Sequence, residues 1–425
     1  MSKYSVPYGK GSLQFELPVA LRADIIMPID VPAASDPMGE VEYSLTHPVD
    51  GLKLNKYHHA KRVAIAINDK TRPVPHHQLL PPILRKLEMI GIHPDDIVVL
   101  IATGTHQPHT RSEISDLLPT EIINRYQILS HDADDESNLV YLGTTMRDTP
   151  VHANKILMQA DLRIVCGNIE PHHFMGFSGG VKSAAIGLAG RETITKNHSW
   201  LLHPCSIPGE YHRNETRQDV EEIGQMMDIH YAVNVVLNNA KQIVRCFSGS
   251  PVGVMLTGME SVIKSCQTPI DNQYDIVIAS PGGHPKDINF YQAQKAITHA
   301  SLITRGGGTV ILVAACPEGI GSDRYEKFMY DIHTHQEVLE KFKNQGFEIG
   351  PHKAVQIAMR ALKMDILVVS SMDPKDVRLL LLNYAPTLDQ AIQTALHKMG
   401  ENSRIAILPK ATNTMPVLVE SQIRL

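Results

Sequence analysis

The chain of 425 residues has one tryptophan, few aromatic residues (5%) and five cysteines, none of them in a C-x-x-C pair. Cys166, Cys205, Cys246, Cys266 and Cys316 are odd in number and widely spaced, which argues against a disulfide framework and against a cysteine zinc site. They read as core thiols. Charge of one sign is also lacking: the net charge is -5, so nothing here recruits nucleic acid or an anionic membrane, both of which call for clustered Lys and Arg. No apolar run is long enough to cross a bilayer, and the opening MSKYSVPYGKGSLQF has no apolar stretch behind its charges. A cytoplasmic protein acting on a small molecule is the expectation.

What is present is ordinary globular material, with 43% hydrophobic and 20% charged residues. The length exceeds what one hydrophobic core usually serves, so two or three domains are expected from length, and the pattern of segments gives two. Histidine is the unusual count, at 22. Short Val- and Ile-rich runs, such as Arg62 to Ile67, Ile97 to Ala102, Leu162 to Cys166, Ile276 to Ala279, Thr309 to Val313, Ile366 to Ser370 and Ile405 to Leu408, read as parallel strands buried on both faces. Amphipathic segments such as Gln78 to Met89 and Gln336 to Asn344 lie between them, so the class is α/β. The polar stretch Gln267 to Gln273 places the boundary near residue 270. Residues 1–270 are expected to form one domain, with 406–425 returning to it, and 271–405 the other.

In such sheets ligands sit beyond the carboxyl ends of the strands, and the informative residues follow strands. After the first comes Asn68-Asp69-Lys70-Thr71-Arg72-Pro73-Val74-Pro75, where an Asp and an Arg in a proline-stiffened turn suit anion recognition or make a local salt bridge. After the next comes Ala102-Thr103-Gly104-Thr105-His106-Gln107-Pro108-His109. Gly104 lets backbone approach a ligand, and histidine is a residue type suited to proton transfer, which makes His106 a candidate; alone, His106 reads more often as a loop or core histidine. The third strand leads into Glu170-Pro171-His172-His173-Phe174-Met175-Gly176-Phe177-Ser178-Gly179-Gly180-Val181-Lys182-Ser183. This is not a Walker loop, because Val181 stands where G-x-x-x-x-G-K-[ST] needs Gly. Ser178, Gly179 and Gly180 still form a turn able to cradle a phosphate, and a desolvated Lys182 becomes a nucleophile. His198 lies sixteen residues past Lys182, and histidines converging from several strand ends offer a first-row metal its commonest nitrogen ligand. Later, Phe290-Tyr291-Gln292-Ala293-Gln294-Lys295 brings Gln292 and Lys295 after a strand and the Gly282-Gly283 turn.

Together, DKTRPVP, ATGTHQP, EPHHFMGFSGGVKS with His198, and YQAQK resemble the nickel-dependent lactate racemase family, in matching order from about Asn68 to Lys295. The resemblance implies two α/β domains, each with a mostly parallel, Rossmann-like sheet flanked by helices, and an active site in the cleft between them. It also implies a nickel pincer nucleotide (pyridinium-3-thioamide-5-thiocarboxylic acid mononucleotide with Ni), delivered by cofactor-synthesis proteins. Lys182 would attach it through a thioamide and His198 would complete the nickel coordination. His106 and His172 would be the acid/base pair, with Asp69, Arg72, Gln292 and Lys295 binding cofactor or substrate and Thr103, Gly104, Ser178, Gly179 and Gly180 lining the cofactor. The chemistry agrees: a carboxylate destabilises the carbanion that proton loss from C2 would create, whereas hydride removal gives a planar 2-keto acid and needs an external acceptor plus a base on each side.

Two departures bear on substrate. Val181 replaces an Arg of the family, and the tryptophan the family places near the substrate is absent; the corresponding segment is Gly350-Pro351-His352-Lys353-Ala354. His352 and Lys353 are therefore expected to contact a 2-hydroxy acid larger or more polar than lactate, malate-like or sugar-acid-like. A metal hydrolase is the competing enzyme reading but would want an H-E-x-x-H pair, which the quoted segments lack. A non-catalytic nucleotide-binding homologue would have no need of Lys182, His106, His172 and His198 together.

Overall fold

The computed structural model describes residues 2–18, 21 and 23–419, arranged as two compact units. One comprises residues 30–265 and the other residues 1–29 together with 266–425, of which the described part is taken up below. Among the described residues no helix is long and apolar enough to cross a membrane.

The 30–265 unit is built on a six-stranded sheet in the spatial order Ile243–Gly249, Tyr231–Leu237, Leu162–Asn168, Val63–Asn68, Ile97–Ala102, Gln127–Ser130. All neighbours are parallel except the first pair. The strands form where β-branched residues crowd: Val63, Ala64, Ile65, Ala66 and Ile67 are wholly buried, as a strand covered by helices on both faces must be. Each such Ile or Val contributes about 1.5–3 kcal/mol by leaving water. The helix His76–Met89 presses Leu79, Leu80, Ile83, Leu84 and Leu87 onto this core. From Val63–Asn68 the chain builds outward in one direction through Gln127–Ser130, then crosses back to lay Leu162–Asn168 on the opposite side of Val63–Asn68. That reversal splays apart the loops that follow the two central strands.

The other unit carries an all-parallel sheet in the order Asn383–Ala385, Asp365–Val369, Thr304–Val313, Tyr274–Ala279, Ile405–Leu408, Ala23–Ile25. An N-terminal hairpin, Ser2–Tyr8 with Gly11–Leu17, joins its core through Val6, Phe15 and Leu17. The hairpin tip is pinned to the loop after Tyr274–Ala279: Gly9 N–H donates to Asp287 Oδ2 at 2.7 Å, His284 N–H to the Gly9 carbonyl at 2.7 Å, and the Ser280 hydroxyl to the Pro7 carbonyl at 2.6 Å.

The division therefore differs from the expected one of 1–270 and 271–405. Residues 23–25 pair with 405–407, which carries the N-terminus into the second sheet, and Ile405–Leu408 stays in that sheet instead of returning to the first. The strand Met415–Leu418 also stays, pairing with Gln267–Ile270, while 420–425 lie outside the described residues. Strand pairing across several hundred residues leaves no local mark. The thiols Cys166, Cys246 and Cys316 are buried and Cys205 is partly so; the Cys266 side chain lies outside the described part.

Candidate active site

In the 30–265 unit the loops after Val63–Asn68, Ile97–Ala102 and Leu162–Asn168 emerge at the point where the strand order reverses, where open α/β sheets bind ligands. The first supplies Asp69, which is 2% exposed. Its Oδ2 accepts the His106 Nδ1 hydrogen at 2.7 Å and its Oδ1 accepts from the Thr71 hydroxyl at 2.8 Å. Burial alone raises the Asp69 carboxyl, but the bonds from His106 and Thr71 and the charges of His106 and Arg72 outweigh it and hold the group below its ordinary range. With Nδ1–H committed to a carboxylate, neutral His106 keeps its lone pair on Nε2, and its side chain is 42% exposed. Arg72 is exposed beside it.

Thr103 and Gly104 hold this loop rather than projecting from it. The buried Thr103 hydroxyl donates to the His131 carbonyl at 2.7 Å, and Gly104 N–H donates to the Gly187 carbonyl at 2.9 Å. His109 is buried too, its Nε2 accepting the Lys70 amide at 3.2 Å. His76 fixes the other end of the first loop through Nε2–H to the Asn68 carbonyl at 3.0 Å.

The glycine-rich loop is a tight cradle. Gly179 and Gly180 have φ of 92° and 60°, and a Cβ on Gly179 would come within 2.5 Å of Ile169; only glycine fits. Two buried side chains that sequence reasoning missed hold the turn. Arg217, fully buried, donates to the carbonyls of Phe177 (3.0 Å) and Gly179 (3.2 and 3.1 Å) and is itself held by Glu221. Asn234 Oδ1 accepts Gly180 N–H at 2.7 Å. Arg217 with Glu221 four residues on reads as a solvated helical ion pair; the signal that points to its burial is the neighbouring glycine turn, whose strained carbonyls need donors.

Lys182 follows this turn and is partly exposed. Removal of water from its surroundings, aided by the charges of Arg72 and Arg217 and opposed by Glu170 and Asp69, pushes its ammonium down to about 7. Its neighbour Ser183 donates to Asn68 Oδ1 at 3.2 Å, tying the lysine turn to the Asp69 loop.

His172 is 8% exposed, and its Nδ1 accepts the Met175 amide at 3.2 Å, which puts the proton of the neutral ring on Nε2. Phe174 packs edge-on against both His172 (centroids 4.8 Å apart) and His198 (5.3 Å), so the two histidines share one aromatic spacer. His198 projects from the helix Arg191–Ser199. Burial, then the nearby Lys182 charge, push it down to about 3, leaving a neutral imidazole throughout the physiological range. Its helix is anchored next door: Asn197 Nδ2 donates to the buried Asp219, which also accepts from Thr145 and Thr149. Thus Asp69, Arg72, His106, His172, Lys182, His198 and the 178–180 turn come together in one unit.

The remaining expected residues belong to the other unit. Lys295 Nζ donates to Gln292 Oε1 at 2.8 Å. His352 and Lys353 are buried, on the helix Pro351–Ala361, with Lys353 Nζ 5.8 Å from the Tyr291 ring centroid and the His352 ring 6.4 Å from it. Gln292 and Lys295 are thus joined to the His352–Lys353 pair through Tyr291.

The family description "Lactate racemase N-terminal domain" matches residues 8–207, and "Lactate racemase C-terminal domain" matches 270–416. The lactate racemase of Lactiplantibacillus plantarum is 32% identical over 377 residues, covering 87% of this chain and 88% of that protein. The lactate racemase of Thermoanaerobacterium thermosaccharolyticum is 28% identical over 425 residues, covering 98% and 99%. The structure of the lactate racemase apoprotein from the latter organism matches with a TM-score of 0.88 at 26% identity, over 98% of this chain and all of that one. A Thermotoga maritima protein shares the fold at 18% identity with a TM-score of 0.64.

Proposed function

Because this chain belongs to the lactate racemase family and is an isomerase, we propose that it inverts C2 of a 2-hydroxy acid through a planar 2-keto acid, with a nickel pincer nucleotide supplying the hydride acceptor. The donor set fits such a group. Among the described residues no cluster of three or more His, Cys, Asp or Glu is placed to hold a metal, so a nickel ion here needs ligands that arrive with an organic ring. His198 supplies a neutral imidazole beside Lys182. Lys182, half deprotonated near neutrality, is the amine that forms the tether, and the Ser178–Gly180 turn holds the phosphate end.

The observation that carries the reading is the grouping of Lys182, His198, His172 and the Asp69–His106 pair at one strand-order reversal. His106 Nε2 accepts the substrate hydroxyl proton, and the Asp69 carboxylate stabilises the imidazolium that forms. In this reading His172, with its proton on Nε2, is the partner acid for the opposite face. Reaction from the opposite enantiomer needs His172 as the base, which requires its bond from the Met175 amide to open. Arg72, Gln292 and Lys295 bind the substrate carboxylate and hydroxyl. His352 and Lys353, in place of an aromatic wall, suit a substrate more polar than lactate.

The test is intact mass, nickel content and inversion of lactate, malate and gluconate by protein made together with cofactor-synthesis proteins. Lys182→Ala should abolish both the mass adduct and turnover. His106→Ala and His172→Ala should keep nickel while losing about 10²–10⁴-fold in rate. An unmodified Lys182 without nickel, or near-normal inversion by either histidine variant, would sink the assignment.

A further inference from the structure

At the strand-order reversal of the 30–265 unit the loop after Val63–Asn68 and the loop after Ile97–Ala102 are joined at more than one point. His106 Nδ1 donates to Asp69 Oδ2 at 2.7 Å. Further along the same segment the buried His109 accepts, on its Nε2, the amide hydrogen of Lys70, the residue after Asp69, at 3.2 Å. The Lys70 ammonium pairs with Glu113, whose carboxylate also accepts the Thr110 amide at 2.8 Å. His109 is itself tied to the sheet: its own amide donates to the Ser130 hydroxyl at 2.9 Å, at the end of the strand Gln127–Ser130. Lys70 is therefore gripped at its amide and at its ammonium by the segment that carries His106. To accept at Nε2 the neutral His109 ring must carry its proton on Nδ1, and that Nδ1 is buried with no hydrogen-bond partner among the described residues. An apolar side chain would avoid the cost of that buried donor but could not accept from Lys70. Burial, opposed by Asp69 and Glu113 and aided by Lys70 and His106, holds the ring below the ordinary histidine value, which keeps it in the accepting form.

The His106 side chain is 42% exposed, so packing does little to aim it. Its direction comes from the bond to Asp69, and a single bond leaves the two loops able to swing about it. A second bond at the adjoining residue removes that freedom. We propose that His109 is a positioning residue for the Asp69–His106 pair, holding the Asp69 loop in register through the Lys70 amide so that His106 Nε2 keeps its aim. In this role it need touch neither substrate nor cofactor. That His106 takes a proton from a substrate hydroxyl rests on the racemase reading; that His109 holds the pair together does not.

The ring proton that His106 shares with Asp69 reports on the pair directly, by proton NMR of the full chain without cofactor, and its signal is assigned by its loss in His106→Gln. Wild type should show it far downfield. His109→Phe keeps a ring but removes the acceptor, and should lose the signal to exchange with water. His109→Gln, whose amide oxygen can stand where Nε2 stood, should restore it. His109→Leu serves in place of His109→Phe if that variant does not fold. In nickel-loaded protein the apolar variant should lower kcat for inversion by roughly 10- to 100-fold, the effect of a misaimed base, with nickel content, the Lys182 adduct and KM little changed. His109→Gln should recover most of that rate. A signal absent from wild type, undiminished in the apolar variants, or lost alike in the apolar variants and His109→Gln would overturn the proposal, as would an unchanged kcat in the apolar variants. Wild type lacking nickel and the adduct counts against the racemase reading alone and leaves the His106 signal to decide this one.

Discussion

Replacing Arg217 with Met leaves the Glu221 carboxylate buried without its partner and strips the donors from the Phe177 and Gly179 carbonyls. Removing one member of a buried ion pair costs about 3–5 kcal/mol, and each orphaned carbonyl adds up to about 1 kcal/mol where water cannot reach it. These contributions overlap, so a total near 4 kcal/mol is the expectation. At roughly 2–4 °C per kcal/mol for a unit of this size, the melting transition of the 30–265 unit should fall by about 8–16 °C. Differential scanning calorimetry of the full chain resolves this against the transition of the other unit. Removing both partners, Arg217→Met with Glu221→Leu, should recover most of the loss, because the unpaired charge is gone, yet it still leaves the glycine turn without its clamp. The double variant should therefore fold well and tether cofactor poorly. A drop of less than about 2 °C in Arg217→Met, or a double variant no more stable than the single, would show that the pair is not what holds the turn.

Two further expectations concern protons. His76 is 1% exposed and burial pushes it down to about 4. The unfolded chain takes that proton near 6.5 and the folded chain only near 4, so stability is complete above 6.5 and declines as pH falls through that window, by up to about 3 kcal/mol at 1.36 kcal/mol per pH unit. Urea unfolding at pH 7 and 4.5 should show this slope, and His76→Gln should flatten it; an identical slope in the variant would refute the assignment. The Lys182 amine of cofactor-free protein should acylate with a midpoint near pH 7, read by peptide mass after brief acetic anhydride treatment, and in the Arg217→Met, Glu221→Leu protein the midpoint should move up as one repelling charge is lost. A midpoint above 10 in the native chain would contradict a desolvated lysine.

The two reversals of strand order have different fates. In the 30–265 unit the loops there carry Asp69, His106, His172 and Lys182. In the other unit the loop after Tyr274–Ala279 is bound to the tip of the N-terminal hairpin through Pro7 and Gly9. The same sheet logic thus gathers titratable side chains at the reversal in one unit, while in the other unit the loop at the reversal is taken up by bonds to the hairpin main chain.

The α/β class, the main strands and the loops bearing Asp69, His106, His172 and Lys182 were legible in the chain itself, because β-branched runs, glycine turns and residues just past a strand are local features whose physics needs no distant partner. The alignment of DKTRPVP, ATGTHQP and EPHHFMGFSGGVKS was legible for the same reason. Only the tertiary structure put residues 23–25 beside 405–407, buried Arg217 beneath a glycine turn four decades of residues earlier, and gave His106 its lone pair on Nε2 and His172 its proton there. Strand partners, burial and tautomers are settled by groups far apart in sequence, and a charged helix face or a histidine looks the same in one dimension whether water or a carboxylate lies against it.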